Sequence, residues 1–114
     1  MREIKFRFYC EDSDTLSKAF AIEELANGIY DWHGDIHKII KNQYTGLKDK
    51  NSVEIYEGDI MKLKESKENY EVRYLGNRFV LCKYDNIVFE NEAYFSEREV
   101  IGNIYENPEL LQGN

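Results

Sequence analysis

Proline and cysteine are nearly missing from this chain, which has one Pro and two Cys in 114 residues, together with only two His. Cys10 and Cys82 are too few for a disulfide framework. Each lies in an apolar, strand-like run, so two free and buried thiols are expected. No run approaches the ~20 apolar residues that a membrane span requires. The opening "MREIKFRFYC" threads charges where a secretory leader would carry an apolar segment, and a cytoplasmic protein is expected. An excess of positive charge is also missing. Fifteen Lys and Arg face 22 Asp and Glu, for a net charge of −7, and both halves of the chain are net acidic. Such a surface repels phosphate backbones and anionic lipid, so nucleic acid and membranes are disfavoured as partners.

What the chain does have is aromatic side chains. Nine Tyr and six Phe join an apolar fraction of 42% against 32% charged residues. That balance belongs to a folding, soluble chain of one domain, and rings favour the pleated, half-buried surface of a sheet. "EIKFRFYC" alternates with period two, placing Ile4, Phe6, Phe8 and Cys10 on one face and Glu3, Lys5, Arg7 and Tyr9 on the other. Asp14 or Ser13 then offers a helix N-cap. Leu16, Ala19, Phe20, Ile22, Leu25 and Ala26 roughly match helical spacing until Asn27-Gly28, so a helix is expected somewhere within 15–26, or only a short turn around Ile22–Ala26. Ile29–Trp32 and Ile36–Ile40 read as a small hairpin turning at His33–Asp35. Gln43–Asn51, "QYTGLKDKN", is rich in turn residues and reads as a corner, neither helix nor strand, with Leu47 as an anchor into the core.

Beyond that corner the strand signals are clearer. Glu57-Gly58-Asp59 bends the chain into a strand from Ile60 to Leu63. "YEVRYLGNRFVLCKY" is a hairpin around a primed two-residue turn at Gly76-Asn77. "NIVFEN" follows a turn at Asp85-Asn86, and "EVIGNIY" is a last strand bent at Gly102-Asn103. Pro108 opens a helical turn whose leucines can cap the core. Five or six short strands at this spacing point to a small barrel.

Three blocks, "MREIKFR", "QYTGLKDKN" with "EIYEGDI", and "VIGNIYENPELL", resemble in order the YopX family of small bacteriophage and prophage proteins, found mainly in Gram-positive bacteria. Ser52-Val53 departs from the Gly-Lys type of turn usual in the middle block. The resemblance implies a mainly β (α+β) fold. Its expected form is a small SH3-like β-barrel over 46–114 with an N-terminal αβ segment, 1–45, packed on it in a single domain. It brings no defined activity and no catalytic residue to transfer.

The residues offer little chemistry of their own. Asp31, His33, Asp35 and His37 alternate and would share one face of a straight strand, where a divalent metal binds. Gly34 bends that strand, and no third strong ligand stands at a standard spacing, so no metal or other cofactor is expected. A cysteine nucleophile needs a His base and a third group to orient it, which strand-core Cys10 and Cys82 do not offer. A phosphate loop and a dinucleotide fingerprint are both missing. Trp32, Tyr44, Tyr56, Tyr74, Tyr84 and Tyr105 are the candidate binding residues, as the wall of an aromatic groove for a peptide. The competing reading of each ring is core, its body buried and its hydroxyl at the surface. Stacking on single-stranded bases would need Arg2, Lys5, Arg7, Arg73, Arg78 and Lys83 on one face. The expectation is a non-enzymatic module that binds a protein partner or assembles with itself. A nucleic-acid-associated regulator is the alternative, and a metal-dependent enzyme is a distant third.

Overall fold

Aromatic and β-branched residues alternate through the strand-forming runs, and two five-stranded antiparallel sheets result. The computed structural model describes residues 3–11, 13–21, 39–62, 68–89 and 92–111. The first sheet holds β1 (Lys5–Cys10), β2 (Thr15–Leu16), β3 (Phe20–Ala21), β4 (Ile39–Lys48) and β5 (Glu54–Tyr56). Its order is β2-β1-β4-β5, with β3 also on β1. The second holds β6 (Asp59–Lys62), β7 (Asn69–Leu75), β8 (Arg78–Lys83), β9 (Asn86–Phe89) and β10 (Glu99–Asn103), in the order β10-β6-β7-β8-β9. Short 3-10 helices span Glu92–Glu97 and Pro108–Leu111. The protein is thus mainly β, and its curled sheets form a half-barrel.

The helix expected within 15–26 is corrected over its described part. Residues 15–16 and 20–21 are strands lying along the same edge of β1, and 22–26 lies outside the described residues. Ser17 explains the interruption between them. Its N–H donates to Phe8 O at 2.8 Å, while its hydroxyl accepts the Phe8 N–H at 2.9 Å. Residues 17–19 bulge there, and the extra residue turns a period of two into spacing that imitates a helix. The hairpin expected over 29–40 lies outside the described residues up to Lys38.

Gln43–Asn51 is the second correction. Its first six residues continue β4, which runs from Ile39 to Lys48 and so crosses the 45/46 division expected between two parts. The ladder to β5 pairs Tyr44 with Tyr56 and Lys48 with Glu54 and is irregular between them. Thr45 fills that irregularity, its Oγ1 accepting the Leu47 N–H at 3.1 Å. The corner itself begins at Asp49. This buried carboxylate accepts N–H groups from Asn51 (2.8 Å), Val53 (2.9 Å) and Val100 (2.9 Å). It shapes the β4–β5 turn and fastens it to β10 in the other sheet.

In the second sheet the Gly76-Asn77 turn is as expected. Both residues have positive φ (62° and 65°), which makes it type I′ and matches the twist of its strands. The following turn is one residue earlier than expected. Lys83 pairs with Asn86, leaving Tyr84-Asp85 at the tip with Tyr84 at φ 56°. The core is built on this sheet, from Met61, Tyr70, Val72, Phe79, Leu81 and Phe95 with Ile55. Leu47 packs against it, as its anchor role required. Phe8 and Phe20 form a smaller patch on the first sheet, ring centroids 6.0 Å apart. Both cysteines are buried, and neither forms a disulfide.

Candidate functional site

The chain passes from one sheet to the other through Glu57-Gly58. Gly58 has φ 87°, a left-handed conformation that only glycine adopts without strain. Its N–H donates to Val72 O at 2.8 Å, and its carbonyl accepts the Ile104 N–H at 2.9 Å. A Cβ here would stand 3.1 Å from Asn42 Oδ1 and 3.3 Å from the Tyr105 ring. Three segments distant in sequence therefore close on this one bend.

Beside the bend lies a cleft of about 220 Å³. One wall is Ile40–Asn42 of β4 and the other Glu71–Leu75 of β7, with Glu57-Gly58 and Ile104-Tyr105 between them. Its polar groups bind one another. Tyr105 donates its hydroxyl to Asn42 Oδ1 at 2.7 Å, and Tyr9 stacks on the Tyr105 ring at 4.2 Å. Glu57 accepts the Gln43 N–H at 3.2 Å while its own N–H donates to Gln43 O at 2.9 Å. Arg73 donates to Glu71 at 3.1 Å. Burial raises the Tyr105 hydroxyl above the usual tyrosine range. The Arg73 guanidinium is raised as well, first by its hydrogen bond to Glu71.

Next to the cleft, β1 turns its polar residues toward a second set of partners. Arg7 pairs with Asp59 and lies over the Tyr56 ring at 4.3 Å. Lys5 pairs with Glu54 and lies 4.8 Å over Tyr44. Asp59 is 2% exposed and also accepts the Tyr56 N–H at 2.8 Å. Burial pushes the Asp59 carboxyl above the usual carboxylate range, against the pull of Arg7. Burial, then Glu54, raises the Tyr56 hydroxyl above its ordinary range. A face that alternation assigns to solvent is thus half-buried, because long cationic stems cover rings while their heads find carboxylates.

The five described candidate rings separate into three groups and line no common groove. Tyr44 and Tyr56 are buried against each other at 5.3 Å, filling the core as the competing reading held. Tyr74 and Tyr105 both line the cleft. Tyr84 projects from the β8–β9 turn, 64% exposed, and Trp32 lies outside the described residues. The described basic residues do not share a face either. Lys5 and Arg7 sit on β1 of the first sheet, whereas Arg73, Arg78 and Lys83 sit on β7 and β8 of the second. Lys83 lies over the rings of Tyr70 and Tyr84, and Arg2 is outside the described residues, as are Asp31, His33, Asp35 and His37. Asn42 and Glu71 were not picked out by sequence, and Glu57 and Asp59 only as part of a bend. Only the blocks "EIYEGDI" and "VIGNIYENPELL" pointed at the bend, and both reach the cleft.

A family model described as YopX protein matches residues 4–112. The crystal structure of protein EF1440 from Enterococcus faecalis is similar over 98% of this chain and 100% of that one, with a TM-score of 0.59 and 25% identity. No curated protein matches. No described helix is long and apolar enough to cross a membrane.

Proposed function

The chain belongs to the YopX family, and from that premise we propose that it is a protein-binding module of phage or prophage origin, without chemistry of its own. One observation carries the reading. Three of the exposed large apolar residues, Tyr84, Ile87 and Val88, belong to the β8–β9 turn and the β9 edge of the second sheet. Its edge strand β9, "NIVF", contains no charge. Edge strands that stay solitary are usually blunted by charge, proline or a cover, and β9 carries no proline either. Tyr84 adds support. A bulky residue at positive φ is strained, and here the strain holds an aromatic ring in solvent.

The nucleic-acid alternative is the weaker one, since the net charge is −7 and Lys5, Arg7 and Arg73 are each occupied by a carboxylate. The SH3-like description of the second sheet belongs to this proposal. Its support is a meander whose fifth strand returns beside the first, after a 3-10 helix. The cytoplasm of the host is the proposed location.

Sedimentation and affinity capture test the reading. The wild-type chain is expected to self-associate or to retain a specific protein, and Ile87→Lys with Val88→Lys to abolish this without unfolding. A wild-type chain that stays monomeric and retains no protein overturns it.

A further inference from the structure

The cleft beside Gly58 has walls of an unusual kind, because both are strand edges. β5 covers the free edge of β4 only from Lys48 back to Tyr44. β6 covers the edge of β7 only from Asn69 to Glu71, extended by the Gly58–Val72 bond. Where the chain turns at Glu57-Gly58 it leaves one edge and joins the other, and past that bend both edges continue. Ile40–Asn42 retains β1 on its far side and Arg73–Leu75 retains β8. No described strand pairs with either on the side of the cleft.

The direction of the backbone groups follows from the ladders. Along an antiparallel strand, alternate residues aim N–H and C=O to the same side. Val72 O accepts from Gly58, so Tyr74, two residues on, aims its N–H and C=O into the cleft. Gln43 N–H and O meet Glu57, so Lys41, two residues back, does the same from the opposite wall. The rim adds Ile40, Tyr74 and Leu75, each more than a third exposed. Charge restricts what fits. The cleft brings two acids, Glu57 and Glu71, and two bases, Lys41 and Arg73, so it is balanced and suits an uncharged, apolar segment rather than an anionic one.

We infer that this notch receives an extended, apolar segment of a partner protein as an added strand, hydrogen-bonded to Tyr74 of β7 and lying along Lys41 of β4. The added strand continues the ladders that β5 and β6 begin, and it bridges the two sheets of the half-barrel. Main-chain bonds supply affinity in this mode, and side-chain pockets supply selectivity. The inference rests on the protein-binding reading for the class of partner, but it places the contact away from the β9 edge.

The test is to pan short random peptides displayed on phage against the full chain. Recovered peptides are then synthesised and titrated while the protein's amide resonances are followed. The expected result is uncharged, apolar peptides that protect the Tyr74 and Lys41 amides from hydrogen exchange. Leu75→Arg and Ile40→Arg on the rim should each weaken binding about tenfold or more. Val53→Arg, at an exposed site on the β4–β5 turn, should leave it unchanged. The amide readout needs no variant, so a misfolded mutant does not decide the matter. Peptides that protect Asn86–Phe89 instead overturn the inference and leave the protein-binding reading standing. Peptides that bind the cleft without protecting Tyr74 overturn the strand-addition mode, and panning that recovers nothing overturns the site.

Discussion

Arg7 and Asp59 show how much one pair of side chains decides. Asp59 is buried, and among the described residues Arg7 and the Tyr56 N–H compensate its charge. Removing one partner of a buried pair strands the other, at a cost of about 3 kcal/mol or more. Arg7→Met should lower stability to urea by about that amount near neutral pH. The sign of its pH dependence follows from Asp59. Burial already raises the folded-state carboxyl above its unfolded value, and losing Arg7 raises it further. A carboxyl raised on folding favours the folded protein while protonated, and that contribution is lost as pH rises through the folded value. The deficit of Arg7→Met should therefore shrink on acidification from neutral pH, in paired urea titrations. An equal deficit at both pH values would count against a stranded carboxylate. None of this pairing was legible in the sequence. Arg7 and Asp59 lie 52 positions apart, and alternation alone assigns Arg7 to solvent.

Elements were legible where local chemistry and tertiary pairing agree. β7 and β8 alternate around Gly76-Asn77, whose φ values fit those two residues, and the hairpin is where its sequence puts it. β2 and β3 were misread because each is two residues long, and the Ser17 bulge between them reproduces helical spacing. β4 was misread because Thr45 and Gly46 serve an irregular ladder inside a strand, not a turn. The cleft was illegible for a further reason. Its walls come from β4, β7, the bend at Gly58 and the segment after β10, and no periodicity connects these. The β8–β9 turn makes a prediction at this scale. Tyr84 at φ 56° carries strain of about 1–2 kcal/mol relative to a residue that tolerates the left-handed region. Tyr84→Asn should raise the urea midpoint, by about 1 kcal/mol of stability, while weakening self-association or partner capture. A variant that is neither more stable nor weaker in binding would remove Tyr84 from the interface argument.

The whole molecule responds to alkali through its tyrosines. Burial raises the hydroxyls of Tyr44, Tyr56 and Tyr105. Tyr9 is raised to about 12, first by its hydrogen bond to Asp14. Each of these groups is held neutral in the folded protein beyond the pH at which it ionises when unfolded. Their contribution is complete below about pH 10, the unfolded tyrosine value, and is lost as pH rises through the folded values. Urea midpoints should hold up to that point and then fall steeply, with part of the tyrosinate absorbance at 295 nm appearing only as the fold is lost. Tyr56→Phe should blunt the fall. Folded protein whose tyrosines all titrate near 10 would contradict this.

Asp49 has a consequence in time. Its carboxylate organises the β4–β5 corner, yet one of its three N–H partners belongs to Val100, 51 positions downstream. On the ribosome, that corner waits for a strand not yet made. A nascent chain can assemble β1, β4 and β5 early, but the seam between the sheets closes only once β10 has been made. Until then the apolar faces of both sheets stand open to chaperones and to neighbouring chains.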